Sequence, residues 1–232
     1  MAGVSLTWLG HGSLRIDSPG GKRIYLDPWF GGPTVPEAEQ TPERCDIVAL
    51  THGHFDHVDG VKALDGFSPK LVAGWELSQW FAANGHPDGG AHGMGKGGTQ
   101  VVDGITFSAV HANHSSSTPD GAYAGEPLGY VIQFENGYRL YVSGDTNVHS
   151  DMALIGRIYQ PDAAVLSIGD QYTMGPREAA VALELLGPTV KKAIGIHWGT
   201  FPLLTGTPAK LRELLTTDVE VLDLAPGDTV EL

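Results

Sequence analysis

Thr51-His52-Gly53-His54-Phe55-Asp56-His57 follows directly on the apolar run Asp46–Thr51. Such a run reads as a strand buried on both faces. Four potential metal donors, His52, His54, Asp56 and His57, therefore crowd the end of a buried strand. On extended backbone His52 and His54, two residues apart, point the same way. Asp56 and His57 then turn back into the same space or beside it. Imidazole nitrogen with carboxylate oxygen suits zinc, and also iron or manganese. The bland alternative is a solvated polar loop, and the density of donors weighs against it.

Working outward, the pattern is strand-rich on both sides. Val4–Leu9, Ser13–Asp17 and Lys22–Leu26 read as a meander broken by Gly10-His11-Gly12 and Pro19-Gly20-Gly21. A Pro- and Gly-rich loop runs from Pro28 to Pro42. Beyond the histidines, Val58–Leu64 predicts a short helix, Lys70–Ala73 a strand, and Trp75–Asn84 an amphipathic helix stopped by Gly85. Gly85–Gly98 reads as loop and Ile105–Ala112 as strand. Leu128–Glu135 and Tyr138–Ser143 flank Asn136-Gly137, a strong hairpin signal. Helices over Met152–Tyr159, Pro176–Leu186 and Pro208–Leu215 then alternate with strands over Ala163–Ile168, Val190–Ile196 and Glu220–Leu224. Each half is β-rich first and then alternates with helices. Two mixed sheets covered outside by helices, a four-layer αββα sandwich of the mixed α/β class, explain that as one domain over residues 1–232.

Composition bounds the partners. The chain has 232 residues, of which 41% are hydrophobic and 18% charged, so it can bury a sizeable core. The net charge of −13 argues against binding nucleic acid, whose phosphates it would repel. No run approaches the 18 or so apolar residues of a membrane span. With a lone Cys45 and no leader pattern, the expected location is the cytoplasm. Composition names no partner beyond these exclusions, the expected partner being a small-molecule substrate, and the sequence carries no signal of oligomeric state.

One cluster does not close a site, but three further strands end in a donor: His114 after Ile105–Ala112, Asp145 after Tyr138–Val142, and His197 after Val190–Ile196. Each alone is unremarkable, since an Asp after a strand is usually a turn or cap residue. Together they would converge on one edge of the sheets.

This series, in this order, resembles the metal ligands of the metallo-β-lactamase superfamily. Asp27, in Leu26-Asp27-Pro28-Trp29, resembles its early motif, an aspartate that supports the site from behind the ligands. Further motifs are Gly10-His11-Gly12-Ser13, His114-Ser115-Ser116-Ser117, Gly144-Asp145-Thr146, Ile168-Gly169, Thr173-Met174-Gly175-Pro176, and His197 with Thr200-Phe201-Pro202. They narrow the likeness to a metal-dependent hydrolase family similar to L-ascorbate-6-phosphate lactonase and N-acyl-phosphatidylethanolamine phospholipase D. The resemblance implies two divalent metal ions at one edge of the sandwich, zinc foremost, with manganese or iron as alternatives. His52, His54 and His114 would hold the first ion and Asp56, His57 and His197 the second, with Asp145 bridging them. A bridging hydroxide would then cleave an ester-type bond, a lactone, carboxylic ester or phosphodiester, and Asp56 would also orient or accept the proton of that water. A non-catalytic metal-binding or sensing module on the same fold is the rival reading.

Other residues are less determined. His11 either approaches the metals from behind the ligands or is a plain turn residue. Ser115 is a candidate substrate contact. His111 continues the apolar face of its strand, as a partly buried histidine or a pocket residue. Asp170 and Trp198-Gly199 depart from the family pattern where substrate contacts are expected. His86, His92 and His149 are expected at the surface. Trp29, Phe55, Tyr172, Met174, Trp198 and Phe201 are candidates for a pocket mouth or for core.

Overall fold

A computed structural model describes residues 3–232. Its first strands, β1 (Ser5–Gly10), β2 (Ser13–Asp17) and β3 (Arg23–Leu26), form the antiparallel meander. β3 then pairs in parallel with β4 (Ile47–Ala49), the strand that leads into the histidine cluster. β5 (Lys70–Gly74) and β6 (Gly93–Met94) extend the sheet on that side, and β14 (Thr229–Glu231) flanks β1 on the other. The second sheet begins antiparallel with β7 (Thr99–Val102), β8 (Ile105–His111), β9 (Leu128–Gln133) and β10 (Arg139–Val142). It continues parallel with β11 (Ala163–Ser167), β12 (Lys192–Ile196) and β13 (Glu220–Leu222). Both sheets have seven strands, in the orders β14-β1-β2-β3-β4-β5-β6 and β13-β12-β11-β10-β9-β8-β7.

Three apolar clusters account for the layers. The first lies between the sheets and joins Leu6, Trp8 and Ile47 of one to Phe107, Tyr130 and Ile194 of the other. The second packs Tyr141 and Leu166 against Met152 of α3 (Asp151–Tyr159), Leu183 of α4 (Pro176–Leu186) and Leu211 of α5 (Pro208–Leu214). The third packs Val48 and Leu71 against Val58 of α1 (Phe55–Val58) and Leu77 and Phe81 of α2 (Trp75–Ala83). Strand alternation feeds two layers at once: Ile47 and Ala49 face the inner cluster, and Val48 between them faces the helices. The result is the αββα sandwich expected from the sequence. Among the described residues, no helix is long and apolar enough to cross a membrane.

Two expectations change in detail. The helix predicted over Val58–Leu64 is divided, because α1 stops at Val58 and a 3₁₀ helix spans Val61–Phe67. Gly60 lies at the break, where its N–H donates to Pro28 O at 2.9 Å. A Cβ there would sit 2.6 Å from the same oxygen. The loop predicted over Gly85–Gly98 contains β6, which at two residues is too short to show a period. α4, by contrast, starts at Pro176 and stops before Gly187 as its end signals require.

Candidate metal centre

The donors gather because their strands run the same way. β1, β3 and β4 share one direction in the first sheet, and β8, β10 and β12 share one in the second. His11 follows β1, Asp27 follows β3, and residues 52–57 follow β4. His114, Asp145 and His197 follow β8, β10 and β12. All six loops meet at one edge of the sandwich.

Two groups form there. His52, His54 and His114 bring one ring nitrogen each to within 4.8 Å of one another. His11, Asp56, His57 and His197 make a second group on the same criterion. Asp145 stands between them, with Oδ2 at 3.8 Å from His114 Nε2, 3.5 Å from His57 Nε2 and 3.0 Å from His197 Nε2. His57 Nε2 and Asp145 Oδ1 are buried without a hydrogen-bond partner. Orphaned polar atoms of that kind are costly in a protein interior. Both belong to residues of the donor cluster, whose side chains lie 3.5 Å apart, and a cation held there would give them a partner. The nitrogen and oxygen donor set fits zinc, iron or manganese.

The protonation states divide along the same line. Burial, reinforced by neighbouring imidazoles, lowers the pKa of His52, and burial foremost lowers His54 and His114. These three are neutral and offer lone pairs. Burial would also lower His57 and His197, but the carboxylates beside them overcome it. His57 is raised well above the usual range, and His197 to about 9. Burial works against charge on Asp145 and Asp56 too, yet the adjacent imidazoles hold both below the ordinary carboxylate range. Protons on His57 and His197 thus balance the Asp56 carboxylate of the second group and the neighbouring Asp145, and a bound cation would take over that charge.

A relay behind the donors aims them. Asp27 accepts the Thr51 N–H at 2.8 Å and the Thr51 hydroxyl at 2.6 Å, and it faces His57 Nδ1 at 2.9 Å. The Thr51 oxygen in turn lies 3.0 Å from His52 Nδ1. With the hydroxyl proton committed to Asp27, His52 must donate from Nδ1, so its Nε2 faces the centre with a lone pair. His57 is oriented likewise. On the other side, His11 Nε2 lies 2.8 Å from Asp56 Oδ2, and its Nδ1 lies 2.9 Å from Thr200 Oγ1. His11 therefore steadies Asp56 from behind. Ser13 explains part of the Gly-His-Gly-Ser motif: its hydroxyl donates to Asp27 O at 2.7 Å and accepts Trp29 N–H at 2.9 Å.

The backbone carries strain at these positions. His11, Asp27 and His197 adopt left-handed φ values of 50°, 48° and 59°. Each such residue costs on the order of 1–3 kcal/mol. Two tethers hold this geometry: His197 N–H donates to His11 O at 2.8 Å, and Trp8 Nε1–H to the same oxygen at 2.9 Å. Gly12 is required by close approach, since a Cβ would lie 2.7 Å from the His57 ring.

The groups open into a cleft of about 710 Å³, with His11, His54, Asp56, His114, Asp145 and His197 among its lining. Ser115 and the exposed Phe55, Tyr172 and Phe201 also line it. Trp29, Met174 and Trp198 do not, and Trp198 stacks on Trp8 at 5.3 Å. His111 stands apart, with Nδ1 3.1 Å from Lys96 Nζ and its ring 4.7 Å from His149. Asp170 is turned to the chain beside it, accepting Gln171 N–H at 2.7 Å, and it does not line the cleft. Of the histidines expected at the surface none is fully exposed, and His92 is half-buried with Nδ1 2.7 Å from Asp88 Oδ1. His86 is only 5% exposed, because its loop folds back so that His86 N–H donates to Phe81 O at 3.0 Å. His149 is half-buried against His111, with both ring nitrogens enclosed. Thr51, Thr200 and Leu203 escaped the sequence reading as site residues. The two threonines stand inside quoted motifs but were given no role of their own there; Leu203 carries no signal.

This fold and this donor arrangement define a class, and the sequence agrees. The chain belongs to the metallo-β-lactamase superfamily: the description "Beta-lactamase superfamily domain" matches residues 22–198. Within it, the chain is similar to proteins named "UPF0173 metal-dependent hydrolase". One from Koribacter versatilis is 43% identical, covering 99% of this chain and 98% of that protein. Another from Herpetosiphon aurantiacus is 44% identical, covering 98% of each. Among solved structures, Igni18, a metallo hydrolase from Ignicoccus hospitalis, superposes with a TM-score of 0.85 at 28% identity, covering 99% of this chain and 98% of that one. An isothiocyanate hydrolase from Delia radicum gut bacteria shares the fold, with a TM-score of 0.72 at 23% identity over 98% of each chain.

Proposed function

We propose that the protein is a hydrolase that binds two divalent cations, zinc foremost, and cleaves an ester-type bond of a small molecule. The observation that carries this reading is the pair of donor groups with the Asp145 carboxylate between them. In it, His52, His54 and His114 would hold one cation and Asp56, His57 and His197 the other, with the Asp145 carboxylate available to both. When bound, such a pair supplies Lewis acidity and lowers the pKa of water toward 7, so that hydroxide is available near neutral pH.

The protein's own residues do the rest. Asp145 offsets repulsion between two cations in a confined space. Asp56 presents its carboxylate at the floor of the cleft, one oxygen held by His11, and can orient the attacking water and accept its proton. Asp27 and Thr51 keep the His52 and His57 lone pairs aimed inward, so the donors need no reorganisation during the reaction. Ser115, at the rim beside His114, is placed to hydrogen-bond the substrate.

Metal analysis of the purified protein, joined to a panel of lactones, carboxylic esters and phosphodiesters, tests the reading. Two equivalents of metal and chelator-sensitive turnover are expected. At most one metal after saturation would overturn the dinuclear site. Two metals with no turnover on any ester would favour a binding or sensing module.

A further inference from the structure

The walls of the cleft are of one chemical kind. Above the donors they are formed by Phe55, Tyr172, Phe201, Pro202 and Leu203. Phe55, Tyr172 and Leu203 are 55%, 56% and 54% exposed, and Phe201 is 37% exposed. Large apolar side chains left in water around a concavity mark a ligand surface. No Lys or Arg is among the described residues lining the cleft; its polar groups beyond the donors are the Ser115 hydroxyl and the Tyr172 phenol. The chain as a whole carries a charge of −13. An anionic group on the substrate, apart from atoms that meet a metal, would find no charge partner here.

Two of these aromatic rings can be placed against the donors. Phe55 meets Trp29 edge-on at 5.6 Å, and Phe201 lies 5.7 Å from the His11 ring. Both therefore stand beside the His11, Asp56, His57 and His197 group. Ser115 adjoins His114, on the side of the other group. A substrate held by Ser115 at one end would lay its far end along the aromatic wall.

We propose that the substrate is an uncharged ester or lactone with an apolar acyl or aryl arm, and that this arm lies along Phe55, Tyr172, Phe201 and Leu203. Esters bearing a further anionic group are disfavoured. The proposal rests on the hydrolase reading above, so it is tested with one measurement that needs no turnover and one that does.

The first is calorimetric titration of the metal-loaded protein with alkyl hydroxamates, from acetohydroxamate to octanohydroxamate. Affinity should rise roughly two- to fourfold per added methylene. Tyr172→Ala combined with Leu203→Ala should at least halve that dependence on chain length. Ile158→Ala, an exposed residue of α3 outside the cleft, should leave it unchanged. A flat series, or a slope indifferent to the double variant, overturns the proposal. The second is kcat/KM for p-nitrophenyl acetate through octanoate, against p-nitrophenyl esters ending in a free carboxylate. The neutral series should climb with length, and the carboxylate at equal length should be at least tenfold poorer. Chain-dependent hydroxamate binding without cleavage of any ester would sink the hydrolase reading and leave recognition of an apolar arm standing. Cleavage indifferent to chain length or terminal charge would do the reverse.

Discussion

Replacing Asp27 by asparagine should weaken both donor groups at once. Asp27 is fully enclosed, and its oxygens serve Thr51 N–H, the Thr51 hydroxyl and His57 Nδ1 at 2.6–2.9 Å. Asparagine has the same shape and tolerates the left-handed backbone found there, so the change adds neither a cavity nor strain. Its amide keeps one acceptor, for Thr51 N–H, and turns two N–H groups toward the Thr51 oxygen and His57 Nδ1. His57 must then accept at Nδ1 and carry its proton on Nε2. The Thr51 hydroxyl proton swings to His52 Nδ1, and His52 also moves its proton to Nε2. Both nitrogens that faced the centre become N–H groups, which cannot ligate a cation. Loss of an outer partner of this kind typically reduces metal affinity 10–100-fold. That is about 1.4–2.7 kcal/mol at each site, at 1.36 kcal/mol per tenfold. Zinc competition against a chromophoric chelator reads both affinities, and circular dichroism checks that the metal-free variant is folded. An Asp27→Asn protein that binds two zinc ions as tightly as the parent would refute the relay.

The remaining expectations are simpler. His114→Ala should lose most of one metal equivalent, whereas His111→Ala, bonded to Lys96 away from the cleft, should keep both at saturation; inductively coupled plasma analysis decides, and the opposite pattern would reverse the assignment. His197, raised to about 9, favours the folded metal-free chain fully below its unfolded pKa near 6.5, and that contribution is lost as pH rises toward 9. Melting temperatures of the chelated protein should therefore fall from pH 6.5 to 9, and the fall should be shallower in His197→Gln, where only the raised His57 still contributes to it. Cys45 is buried, which pushes its thiol up to about 12, so it should react with a disulfide reagent at pH 8 only once denaturant unfolds the chain. Rapid labelling of the native protein would show that the third apolar cluster opens there.

Part of the candidate site was legible because four of its residues stand where an apolar run stops. His52, His114, Asp145 and His197 all end such runs, and strand direction alone brings them together. The layered fold was legible for a similar reason: the period changes from two to 3.6 within each half, and end signals such as Pro176 and Gly187 mark the helices. Contacts between distant residues left no such trace. Thr200 meets His11 across 189 positions, and nothing periodic announces the pairing. The burial of His86 depends on how a glycine-rich loop folds back onto α2, which composition does not encode. Phe201 and Leu203 carry the same ambiguity as any apolar residue after a strand: only the fold decides whether they close the core or are left facing solvent.

Each donor group draws on both sheets. His52 and His54 come from the loop after β4 and meet His114 beyond β8; Asp56 and His57 meet His197 beyond β12. A cation in either group would thus rivet the two halves of the sandwich at their rim, where the His197–His11 backbone bond of 2.8 Å already spans them. The consequence is mechanical. Chelation should let the two rims splay apart at the mouth while the oily middle keeps the halves in register. Deuterium uptake should then climb around residues 111–114 and 196–200 well before it climbs in the interior of β9 or β10.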